Sequence, residues 1–109
     1  MPVHANLVTA FLRDLSDKEF QEQAWTGKLD GVTASFDECV NGLFDDSGLG
    51  DALDTGSVYS DDVDDDLRRL GDLVDRIDAR RSAEAILDDP DLALVRDLAR
   101  DILARIGTA

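Results

Sequence analysis

The chain has 109 residues, 43% of them hydrophobic, and 25 Asp and Glu against 11 Lys and Arg, for a formal net charge of −14. That length suits one domain around one core. The charge excludes a nucleic-acid binder, which needs cationic groups to displace counterions, and disfavours anionic membrane surfaces. A single cysteine, Cys39, excludes an internal disulfide, no apolar run is long enough to span a bilayer, and Met1–Asn6 carries no basic leader. A soluble cytoplasmic protein is therefore expected.

The acidity is concentrated. Between Lys28 and Arg68 there is no Lys or Arg, while twelve carboxylates stand there, interleaved with Phe36, Val40, Leu43, Phe44, Leu49, Leu53, Val58, Tyr59, Val63 and Leu67. Apolar residues at that density allow burial to offset self-repulsion, so the segment reads as an acidic surface on a helical core.

In chain order, Leu7, Val8, Phe11, Leu12 and Leu15 mark a first amphipathic helix. Ser16-Asp17-Lys18-Glu19 reads as a capping box opening a short helix over 17–25, with Leu15 and Phe20 as its hydrophobic staple and Gly27 as its left-handed end. Residues 26–34 are a connection anchored by Leu29 and Val32. Ser35 caps the next helix, whose stripe is Phe36, Cys39, Val40, Leu43 and Phe44. It stops at Asp45-Asp46-Ser47-Gly48, where the helix dipole opposes the two carboxylates.

Residues 48–59 lose period at Gly48, Gly50 and Gly56, and are expected as a loop with at most one turn at Leu49 and Leu53 and an extended Val58-Tyr59. Ser60 caps a long helix carrying Val63, Leu67, Leu70, Val74 and Ile77, with Asp64–Arg68, Asp65–Arg69 and Asp72–Arg76 as i,i+4 pairs. Gly71 inside it either weakens the helix or admits a neighbouring backbone. A short helix follows Ser82. Asp89-Pro90 then opens the last one, with Leu92, Val95, Leu98, Ala99, Ile102 and Ile106 as its stripe and Gly107 as its end.

Chemical motifs fare poorly. Asp61-Asp62-Val63-Asp64-Asp65 fits the DDxxD pattern of magnesium–diphosphate sites, yet 109 residues cannot enclose the helical cavity such enzymes need, and a helix N-terminus explains the carboxylates. Glu19-Phe20-Gln21-Glu22 is an ExxE of the kind found in helical magnesium-dependent pyrophosphohydrolases. Its required second pair, sought at Asp72/Asp75 or Asp75/Asp78, is not a convincing match. His4 is the only histidine, which rules out histidine triads. Residues 45–48 lack the alternating ligands of an EF-hand. Cys39 and Trp25 read as core.

Four segments taken in series, Leu15-Ser16-Asp17-Lys18-Glu19-Phe20-Gln21 through Trp25, Leu43-Phe44-Asp45-Asp46, Gly56-Ser57-Val58-Tyr59, and Ile86-Leu87-Asp88-Asp89-Pro90 through Val95-Arg96, resemble a family of small acidic actinobacterial proteins with no assigned activity. That family carries an aromatic residue soon after the proline, where this chain has Asp91-Leu92. The resemblance implies a compact helical domain and no catalytic residue.

The expected architecture is an all-α single-domain bundle of five or six helices, with helices 35–46 and 60–79 packed on the C-terminal one. The expected function is non-enzymatic protein binding of an immunity or inhibitor type, without metal or cofactor. Its acidic surface, Asp45, Asp46, Asp51, Asp54, Tyr59, Asp61 and Asp62, would take a basic protein partner. Two alternatives are a small magnesium-dependent phosphohydrolase and an acidity that only mirrors a high-GC or salt-adapted proteome.

Overall fold

The computed structural model describes residues 3–28 and 35–106. Seven α-helices follow one another among them: α1 (Ala5–Ser16), α2 (Lys18–Ala24), α3 (Phe36–Asn41), α4 (Leu49–Thr55), α5 (Asp61–Asp75), α6 (Ala83–Leu87) and α7 (Pro90–Ile106). A π-helical turn, Gly42–Asp46, continues α3 without a break. No strand occurs among the described residues. The expectation of an all-α fold holds, with seven helices where five or six were expected. Leu29, Val32 and Gly107, expected as anchors and as the last cap, lie outside the described residues.

The additional helix is α4, in the stretch expected to be a loop. Its three glycines hide the period, and one of them has a packing reason. A Cβ on Gly50 would lie 3.0 Å from the Phe44 carbonyl oxygen, so α4 lies almost directly on the backbone of the π turn. Leu49 and Leu53 are buried from it.

α7 is the central element. Leu92, Val95, Ala99 and Ile102 are buried along it, and its principal neighbours are α1, through Val8, Leu12 and Leu15, and α5, through Val63, Leu67, Leu70 and Val74. The expectation that the 35–46 helix packs on the C-terminal helix needs correction, because α3 and the π turn rest mainly on α1. Gly42 is the reason. A Cβ there would fall 2.3 Å from Cζ of Phe11, so the missing side chain leaves room for that ring.

A buried polar link joins α2 to α7. Gln21 is fully buried. Its Nε2 donates to the Asp14 and Leu15 carbonyls at 2.9 and 2.8 Å, and its Oε1 accepts from Arg96 Nε at 2.8 Å. One amide thus closes the end of α1 and satisfies part of the guanidinium of Arg96, a residue only 8% exposed. Desolvation pulls the Arg96 pKa below its ordinary value, against Glu22 and Asp97.

The helix starts are partly as read. Ser35, Ser60 and Ser82 accept from the Glu38, Val63 and Ala85 amides. Gly27 adopts φ 79°, with Lys28 N–H on Gln23 O at 2.8 Å, the paired bond of a left-handed helix end. The capping box at Ser16 does not form. α1 runs through Ser16, whose hydroxyl donates to Arg13 O, and Asp17 takes the cap by accepting from Phe20 N–H at 3.0 Å. The ion pairs on α5 shift likewise, from the expected i,i+4 to Asp65–Arg68 and Asp66–Arg69 at i,i+3. Arg76 turns instead to Asp91 of α7.

Candidate functional site

Asp45 and Asp46 are exposed on the π turn. Their backbone is fixed from several sides. Ser47 N–H donates to Gly42 O at 3.1 Å, Gly48, at φ 79°, donates to Asp45 O at 3.1 Å, and His4 N–H donates to Ser47 O at 2.9 Å. The buried Ser47 hydroxyl donates to Leu43 O and accepts from Leu49 N–H at 3.1 Å, tying the turn to α4. The start of α4 three residues beyond Asp46 also places a helix N-terminus beside the pair. The opposition from the end of α3 is therefore softened relative to the sequence reading.

Between the end of α4 and the start of α5 lies an open polar basin of about 570 Å³, lined by Asp54, Thr55, Ser57, Asp61, Asp65 and Arg68, with Asp64 beneath. Arg68 donates through Nη2 to Leu53 O at 3.0 Å and through Nη1 to Asp65 at 3.1 Å, so it closes the carbonyl end of α4. Asp64 is only 2% exposed. Its Oδ2 accepts from Val58 N–H at 2.8 Å and its Oδ1 from Tyr59 N–H at 3.0 Å. This carboxylate folds the incoming chain back over the helix start, and the ring of Tyr59 stays 36% exposed. Burial and the Asp64 charge raise the Tyr59 phenol pKa above its ordinary value.

The seven expected partner-facing residues fall into several places. Asp54 and Asp61 share the basin. Asp45 lines a shallow cleft with Phe44, Gly71 and Asp75. Asp46 and Asp51 stand exposed on the π turn and α4. Asp62 is exposed on the first turn of α5, where its charge helps to raise the Arg105 pKa, and Tyr59 occupies the loop. Among the described residues, none of these six carboxylates forms an ion pair. By contrast, Asp65, Asp66, Asp78, Asp89, Asp91, Asp97 and Asp101 each pair with an arginine.

The carboxylates of the DDxxD pattern diverge. Asp64 turns to the loop amides and Asp65 to Arg68, while Asp61 and Asp62 make no ion pair among the described residues. Of the ExxE pair, Glu22 is held by Lys18 at 3.8 Å on an exposed face. No group of three or more His, Cys, Asp or Glu among the described residues is placed to hold a metal ion. Cys39 is buried, and desolvation, Asp14 and Glu38, opposed by the Trp25 indole, push its thiol up to about 12. A thiol so protonated is a poor nucleophile. Trp25 is buried edge-on against Phe36, with ring centroids 5.9 Å apart.

Sequence reasoning missed Asp64, Ser47 and the Gln21–Arg96 link. Asp64 is one of five aspartates in a run of six and carries no local mark. Its role exists only once the chain folds back onto α5. Among the described residues no helix is long and apolar enough to cross a membrane. Comparison with protein-family models, curated proteins and solved structures finds no match to this chain.

Proposed function

We propose that the protein is a non-enzymatic binding module of an immunity or inhibitor type, whose face from the π turn to the start of α5 captures a basic protein. The observation that carries this reading is the division of the carboxylates. The three aspartates of α7, and Asp65 and Asp66 of α5, are paired with arginines, while Asp72 and Asp75 of α5 make no ion pair among the described residues. Asp45, Asp46, Asp51, Asp54, Asp61 and Asp62 are exposed and make no ion pair among the described residues, although Arg68 lines the same basin as Asp54 and Asp61. An acidity that merely followed composition would intersperse both signs everywhere, as α7 does.

A fixed backbone beneath these charges supports the same reading, because a partner then meets a preorganised surface and orders little on binding. Tyr59, held by Asp64, adds an aromatic contact of the kind enriched at binding hot spots. Complementary charge gives such a surface a fast, salt-sensitive association and rejects acidic competitors.

The test is affinity capture from the source organism at low salt, using the wild type and a variant with all six aspartates changed to Asn as parallel baits. The proposal expects a basic protein retained by the wild type, eluted by salt and absent from the variant. Equal retention by both baits would remove the role of this face.

A further inference from the structure

On the outer side of the α5–α7 pair runs a groove of about 320 Å³, with Leu73, Leu94 and Leu98 along it, Arg69 on the α5 rim, and Asp97 and Asp101 on the α7 rim. Leu94 is 50% exposed, the highest value for a large hydrophobic side chain among the described residues. The core takes Leu92, Val95, Ala99 and Ile102 from α7. Leu94 and Leu98, one turn apart, lie outside that stripe and serve the groove.

The charge of this region also sets it apart. Residues 68–77 and 90–106, the part of the pair that flanks the groove, carry six basic and five acidic residues in a chain of net charge −14, while the first turns of α5 add five aspartates beyond it. Two copies of such a chain repel through most orientations, and least through this one. None of the seven residues assigned to the basic partner lines the groove.

The rims are complementary to each other. α5 and α7 run antiparallel, with Asp66 on Arg105 at one end and Arg76 on Asp91 at the other. That register sets Arg69 level with the turn from Asp97 to Asp101. A two-fold axis lying along the groove brings the α5 rim of one copy against the α7 rim of the other. Arg69 of each then faces Asp97 and Asp101 of its mate, on either side of a shared leucine seam. The existing partners of these groups are the partly buried Asp66 for Arg69, the exposed Arg100 for Asp97 and Arg105 for Asp101. Arg69 and Asp97 are themselves exposed, so their pairs exchange at little cost.

We propose that this groove is a self-association face, at which a second copy of the chain docks isologously, leaving both acidic faces open. Sedimentation velocity of the purified chain, from micromolar to near-millimolar concentration, is the measurement. A concentration-dependent dimer is expected, and Leu94→Asp should weaken it by at least about tenfold while leaving the circular dichroism and melting temperature unchanged. Arg69→Glu alone and Asp97→Arg alone should each weaken it, since each sets like charges across both rims. An equimolar mixture of these two variants should associate better than either alone, because the mixed dimer keeps Arg69 against Asp97 and Asp101 at one rim and sets the introduced glutamate against the introduced arginine at the other. A monomer at every concentration overturns the proposal and leaves the groove to some other molecule. So does a dimer indifferent to Leu94→Asp, or a mixture that associates no better than its components.

Discussion

Asp64 is a nearly inaccessible carboxylate whose two oxygens are each taken by a backbone amide, at 2.8 and 3.0 Å. Those bonds are charge-assisted and sit where water cannot replace them, so they hold the loop before α5 more firmly than its own Ser57 or Ser60 could. Asp64→Asn keeps the shape but turns a donor toward one of the two N–H groups. It is expected to cost about 1.5–3 kcal/mol in chemical denaturation, and to let the Tyr59 phenol titrate closer to its ordinary value. A variant as stable as the wild type would show that the clasp contributes nothing. Cys39 gives a pH dependence. Its thiol titrates at about 12 in the folded chain against 9.0 in the ordinary state, so between these values the folded form binds more protons than the unfolded one. Stability is then complete below pH 9 and falls as pH rises toward 12, and Tyr59, shifted the same way from 10.0, adds to the loss. Melting temperatures followed from neutral pH to about 11 should decline less steeply in Cys39→Ala than in the wild type. Parallel curves would contradict the assignment.

Among the elements, two glycines in helical backbone call for opposite outcomes from one substitution. At Gly71 a Cβ would stand 3.6 Å from Cζ of Phe44, an ordinary contact, so Gly71→Ala should stabilise α5 by about 0.5–1 kcal/mol through propensity alone. The neighbour admitted there is a side chain and not the backbone the sequence suggested. At Gly42 the same methyl would enter the Phe11 ring, so Gly42→Ala should lower the melting temperature clearly. The two shifts having the same sign in thermal denaturation would refute the packing described. α5 and α7 were legible because Ser60 and Asp89-Pro90 announce their starts and a period of 3.6 runs through both. The π turn was not, since its wider winding breaks that period, and α4 was hidden by Gly50, placed for close contact with the Phe44 backbone, and by the glycines that flank it. Asp17 displaced Ser16 as a cap because α1 continues one residue further than its apolar stripe requires, and an aspartate caps as well as a serine. Of the candidate site, the unbalanced charge was readable in the sequence. The separation of paired from unpaired aspartates was not, because Arg68 and Arg69 pair at i,i+3, Arg76 and Arg81 reach forward to Asp91 and Asp89, and Arg105 reaches back to Asp66.

The molecule as a whole thus carries two dissimilar surface features. The first is formed by the exposed carboxylates of the π turn, α4 and the start of α5, none of which makes an ion pair among the described residues, and the second by the leucine-lined groove between α5 and α7. Binding of a basic protein at the first need not disturb the second. Asp45 and Asp46 give the sharpest means of examining the acidic side, because they are exposed, make no ion pair among the described residues and stand on a backbone held by Ser47. Changing both to Asn removes charge without removing a structural contact, and some relief of self-repulsion should leave the fold as stable or slightly more so. The decisive measurement is the association rate with the captured basic partner at low and at high salt, for the wild type and for Asp45→Asn/Asp46→Asn. A slower rate at low salt and a shallower salt dependence in the variant, with its melting temperature preserved, are the expected result. An unchanged rate and salt slope, or a variant that unfolds, would contradict the assignment of these carboxylates to binding.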